Sequence, residues 1–169
     1  MLTRRTMPVV DDSGQDWGAT CGPYTLAAMA GMPLAGVRGV VSDREPDLFG
    51  ERLTFRGWMN VGQMKRAAES VGLRLVPTSG DHQVGRLVEI MRGGGAWIVL
   101  LAWRGPWPPR VDQRFSHWIG VARGRVYEPN RNEWMGFVDW VSFEPRLRPD
   151  RAERNGLYLK WHAATRPPS

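Results

Sequence analysis

The sequence predicts a single α+β domain in which an N-terminal helical part carrying Cys21 packs on a C-terminal antiparallel sheet or half-barrel. Three observations predict it. A run of helix formers opens at Cys21 and stops at Gly31. Two further helical patterns fill the middle of the chain. From Ala96 onward the apolar residues fall into short runs of strand length, bounded by glycine and proline. With 169 residues, 42% of them hydrophobic, the chain is one ordinary domain with enough apolar material to bury a core. It is read as one unit, 1–169, with an N-terminal arm over 1–12 and a flexible tail over 163–169.

Taken in order, DDSGQDWG between Val10 and Gly18 is polar and glycine-containing and reads as a loop. Pro23 suits a first helical turn, where its missing N–H would have no partner, so the next helix starts at Cys21. The stretch from Met32 to Trp58 mixes charges with glycine and proline and reads as loops with one short helix. Asn60 and Gln63 have the spacing of a capping box and open a helix through Val71, ended by Gly72. A short strand follows at Leu73 to Val76. Asp81 is placed to cap a second helix through Val84, Leu87, Val88 and Met91, and Gly93 to Gly95 release the chain into a central strand, Ala96 to Ala102. A Pro-rich loop, Trp103 to Ser116, precedes a hairpin whose first strand begins at His117 and whose second ends at Glu128. Alternation predicts two more strands, Gly136 to Phe143 and Gly156 to Trp161, with no internal repeat anywhere.

Cys21 is the only cysteine, so no disulfide can form within the chain. A free cysteine is usually a small buried hydrophobe. At a helix N-terminus, however, unpaired N–H groups and the positive end of the macrodipole stabilise a thiolate, the form that attacks carbonyls. Gln15, six residues earlier, is close enough in sequence to donate to an oxyanion together with the Cys21 N–H. The predicted hairpin brings the start of one strand beside the end of the other. It thereby supplies His117 as a base and either Glu128 or Asn130 as the group that orients it. Gly22 and Trp118, next to Cys21 and His117, are assigned to substrate contact. Trp17 either lines a substrate groove or packs on the core.

Gln15, the Cys21-Gly22-Pro23 helix start, the late His117-Trp118 strand and the Tyr127-Glu128-Pro129 turn together resemble papain-like cysteine peptidases. The likeness is greatest to the compact bacterial peptidases that cut leaders after double glycine. The order Gln, Cys, His, acid or amide is the family's, and the resemblance spans roughly Gly14 to Trp161. It implies a papain-like fold and a thiol-dependent hydrolase that cleaves peptide or isopeptide bonds in a protein or peptide substrate, with no cofactor. The family usually has Asp before the proline, where this chain has Glu128, and papain uses Asn. Deamidation, acyl transfer and removal of ubiquitin-like modifiers use the same constellation, and an idle papain-like binding module is the reading from another class.

Composition narrows the remaining classes. The net charge of +6 comes from arginine, Lys65 and Lys160 being the only lysines, and the basic residues are scattered rather than interleaved with aromatics, which disfavours nucleic acid as a partner. One cysteine and three separated histidines lack the paired spacing of a metal site, and His82 and His162 read as surface or structural residues. The first ten residues hold no apolar stretch of secretory-signal length and no run reaches the length of a membrane helix. Together with the free thiol this predicts a soluble, cytoplasmic protein without a membrane partner.

Overall fold

The computed structural model describes residues 9–11, 21–38, 40, 59–78, 84–104, 114–143 and 158–165. Eleven elements are described: α1 (Cys21–Ala30), α2 (Leu34–Arg38), α3 (Val61–Ser70), β1 (Arg74–Pro77), α4 (Val84–Gly93), β2 (Ala96–Arg104), β3 (Arg114–Ala122), β4 (Arg125–Glu128), β5 (Glu133–Gly136), α5 (Phe137–Phe143) and β6 (Tyr158–Thr165). The class is α+β. The strands form one six-stranded sheet in the order β1-β6-β2-β3-β4-β5, with every neighbouring pair antiparallel.

Helices cover both faces of this sheet, which explains why β2 reads as an unbroken apolar run instead of an alternating one. On one face Ile98 and Leu100 of β2 and Trp118 of β3 pack with Leu26 and Ala27 of α1 and Met64, Ala67 and Ala68 of α3. On the other, Val99 and Leu101 of β2, Ile119 and Val121 of β3 and Val126 of β4 meet Ile90 of α4 and Trp140 of α5. Consecutive strand residues point to opposite faces, so each strand feeds both layers.

The local signals produce the structure they predict. Asn60 accepts from the Gln63 N–H at 2.9 Å while the Gln63 side chain accepts the Asn60 N–H at 2.8 Å, closing both halves of the capping box at the start of α3. Arg123 and Gly124 both hold positive φ, 52° and 70°, the geometry of a two-residue hairpin turn whose twist matches its strands. That turn sets the register, pairing Gly120 with Tyr127 and Ala122 with Arg125.

Three expectations are corrected. Residues 136–143 are not a strand: β5 ends at Gly136 and α5 follows at once. Phe137, Trp140 and Val141 fit helical spacing as well as alternation, and the helix buries Trp140 while leaving Val138 76% exposed. The last strand is Tyr158–Thr165 rather than Gly156 to Trp161, so residues 163–165 belong to the sheet and not to a tail: Leu75 pairs with Ala164 and Arg74 with Thr165. The Pro-rich connection is shorter than expected, because β2 runs on to Arg104 and β3 begins at Arg114. The strands form one open antiparallel sheet with β1 and β5 at its edges. Within the region read mostly as loop, α2 is the short helix. Asp81, His82 and residues 41–58 lie outside the described residues.

The arm expected over 1–12 is tied to the domain at the part that is described. Val10 is buried, and the Asn132 side chain grips its backbone from both sides. The Val10 N–H donates to Oδ1 at 3.0 Å, and the Asn132 amide donates to the Val10 carbonyl at 2.7 Å. Oδ1 also accepts the Tyr127 hydroxyl, at 2.6 Å.

Candidate active site

The site forms where β4 stops. Its ladder with β3 covers Gly120 to Ala122, so the backbone of Trp118 beyond it needs other partners. Helix α1 supplies them. The Thr25 hydroxyl donates to the Trp118 carbonyl at 3.1 Å, and the Trp118 N–H hydrogen-bonds to the Cys21 sulfur. This places the first residue of α1 beside His117, with Cys21 partly exposed and His117 only 4% exposed.

His117 joins two groups. Its Nε2–H donates to Glu128 Oε1 at 2.8 Å, which leaves Nδ1 for the hydrogen bond with the Cys21 thiol. Glu128 is fully buried, and a buried carboxylate survives only when donors surround it. Among the described residues it has three: His117 Nε2 and the Asn130 backbone N–H on Oε1, the latter at 3.1 Å, and the Trp140 indole N–H on Oε2 at 2.9 Å. The strand geometry explains this choice of acid. Hairpin register carried past Gly120 would set Asn130 opposite His117, but the chain turns after Glu128. The Arg131 N–H donates to the Glu128 carbonyl and the Asn132 N–H to that of Pro129, both at 3.1 Å, and Asn130 is left exposed.

The electrostatics follow from these contacts. Burial pushes the Cys21 thiol up, but the hydrogen bond and charge of His117, with the N–H groups of Trp118 and Gly22, outweigh it and hold the thiol below its usual 9.0. Burial pushes His117 down, yet its bonds and charge interactions with Cys21 and Glu128 raise it from 6.5 to about 9. Glu128 is lifted by burial and lowered further by His117, Trp140 and Asn130, ending below its usual 4.5. Each shift favours the charged form. The arrangement can therefore hold a thiolate against an imidazolium in neutral solution, a nucleophile and a proton donor in contact.

The structure thus brings Cys21, His117 and Glu128 together and takes Asn130 into the site only through its backbone. Gln15 and Trp17 lie outside the described residues. Two substrate-contact assignments are corrected. The Trp118 indole is 1% exposed, with its N–H given to the Met59 carbonyl at 2.8 Å, so it is core, and only its backbone reaches the site. Gly22 is buried too: a Cβ there would stand 2.9 Å from the Met59 side chain. His162 is 3% exposed and packs its ring 6.2 Å from that of Trp118, as a structural residue. Trp140 was missed by sequence reasoning, since its segment read as a strand. The signal was its helical spacing from Phe137, whose ring lies 6.4 Å away.

Among the described residues, no cluster of His, Cys, Asp or Glu could hold a metal ion, and no helix is long and apolar enough to cross a membrane. No family model, curated protein or solved structure matches the chain.

Proposed function

We propose that the protein is a thiol-dependent hydrolase that cleaves peptide or isopeptide bonds, with a papain-like arrangement of its site. The observation that carries this reading is the continuous chain Cys21, His117, Glu128, in which every hydrogen bond favours the ionised form. A binding module has no use for a buried carboxylate and imidazole aligned on a partly exposed thiol, because burying charge costs free energy that packing alone would avoid.

In the reaction, Cys21 Sγ adds to the scissile carbonyl carbon, forming a C–S bond and placing negative charge on the oxygen. As the tetrahedral intermediate collapses, the C–N bond breaks and the His117 imidazolium gives its Nδ1 proton to the departing amine. Now neutral, His117 takes a proton from water, the hydroxide adds to the thioester, and the acid leaves with restoration of thiolate and imidazolium. Glu128 holds the ring in place throughout and balances its charge. Gln15 is the side chain proposed to share the oxyanion with the Cys21 N–H.

The test is mass spectrometry after treatment with a thiol-directed epoxide, comparing the wild type with His117→Ala, and a peptide-cleavage screen comparing it with Cys21→Ala. Fast labelling of Cys21 that depends on His117, with cleavage lost in Cys21→Ala, is the expected result. Slow labelling, equal in both proteins, would make Cys21 a structural residue and favour the binding module. Release of ammonia without chain cleavage would move the same site to deamidation.

A further inference from the structure

Trp140 belongs to α5, an element separate from the strands that carry His117 and Glu128, and it is fully buried. Its N–H lies 2.9 Å from Glu128 Oε2, the oxygen facing away from the histidine. The Phe137 ring, one turn earlier on the same helix, lies 6.4 Å from the indole at a tilt of 39°. An indole has a donor and no acceptor, and it does not titrate. It can therefore stabilise the carboxylate but cannot accept a proton from the neutral acid, unlike a serine, tyrosine or histidine in that position. Its apolar body meanwhile seals the face of the sheet.

We infer that Trp140 is a positioning residue for the Cys21–His117 pair. Its N–H holds the Glu128 carboxyl with Oε1 turned to His117 and keeps that carboxyl ionised under the sheet. The consequence for turnover rests on the hydrolase reading above, whereas the hydrogen-bonded chain itself does not. Few other charges bear on Glu128 among the described residues. His117 on β3 faces it, and Cys21 on α1 acts through His117. In the turn after β4, Arg131 and Glu133 pair with each other at 3.4 Å, both about half exposed, and Asp139 of α5 is exposed. Among the described residues the other donor on the carboxyl is the Asn130 N–H, which shares Oε1 with the histidine.

Two variants separate positioning from packing. Trp140→Phe removes the N–H and keeps most of the bulk. Trp140→His restores an N–H at the corresponding ring atom, loses the second ring and, being protonated over the acid titration, can only donate to the carboxyl. The readout is the NMR signal of the His117 Nε2–H proton, followed through an acid titration, with the pH dependence of Cys21 labelling by the epoxide measured beside it. In Trp140→Phe the midpoint at which the Nε2–H signal leaves its carboxylate-bonded position should rise by about one pH unit, and the acid limb of labelling should rise with it. In Trp140→His it should stay at or below the wild-type value although the protein is less stable. An unmoved midpoint in Trp140→Phe would overturn the inference, as would a rise in Trp140→His equal to that in Trp140→Phe. Should Trp140→Phe not fold, the wild type decides: the Trp140 indole N–H signal should titrate at the same midpoint as the His117 signal, and independent midpoints would overturn the inference. If peptide cleavage and His117-dependent labelling are both absent, the hydrolase reading fails while the NMR midpoints still judge Trp140.

Discussion

The two faces of the sheet are closed by helices in the same manner but filled with different chemistry. Beneath α1 and α3 the layer is mainly apolar, with Leu26, Met64 and Ile98 fully buried beside the polar Thr25 and His162. On the α4 and α5 face the same period-two alternation that places Ile119 and Val126 also places His117 and Glu128, so an ion pair lies in line with a hydrophobic layer. The contrast teaches that the site occupies no special backbone. It uses ordinary strand positions at the sheet's open end, and it becomes reactive because α1 arrives from the opposite face with a thiol.

The sharpest way to break this contrast is Glu128→Gln, which keeps shape and removes charge. His117 should lose its counter-charge and its raised affinity for a proton, so that cleavage and Cys21 labelling at neutral pH fall by about a hundredfold or more. Full activity in that variant would reduce the carboxylate to packing. The matching change on the apolar face is Leu26→Ala, expected to cost about 2–5 kcal/mol in denaturant unfolding through the cavity it leaves. Its labelling rate per folded molecule should be unchanged, and a loss of rate would show that the two faces are not independent. Asn132→Ala removes the grip on Val10 and the bond to Tyr127, and about 1–3 kcal/mol should be lost in the same measurement.

The smallest effect concerns pH. His117 is raised from 6.5 to about 9, so its contribution to stability is complete below 6.5 and is lost as the pH rises towards about 9. Cys21 is lowered from 9.0, so its contribution grows over the same direction, and thiolate with imidazolium binds the same number of protons as thiol with neutral imidazole. The two contributions oppose each other between pH 6.5 and 9, so unfolding free energy should change less there than His117 alone would dictate, while labelling and cleavage decline through about 9 as the imidazolium disappears. Below 4.5 stability should fall, because Glu128 is ionised more readily in the fold than in the open chain.

What was legible in the sequence was local. The capping box of α3, the hairpin between His117 and Glu128 and the start of α1 at Cys21 depend on nearby residues, and each formed as the spacing predicts. What was not legible depended on contacts between distant segments. Glu128 and Asn130 are equivalent candidates by spacing, and the turn that follows Glu128 decides between them. FVDWVSF satisfies both periods, and the pull of Trp140 towards a carboxylate across the β4–β5 turn accompanies the helix. Trp118 adjoins the histidine in sequence, but strand alternation turns its ring into the opposite layer.

Trp118 holds two segments by three contacts: its N–H meets Cys21 and its carbonyl takes the Thr25 hydroxyl, both on α1, and its indole donates to Met59. The nucleophile is therefore tied by these bonds to the buried core. Deuterium should replace the Trp118 amide proton only when the whole domain unfolds, so that the lifetime of the armed thiol in solution is the lifetime of the fold.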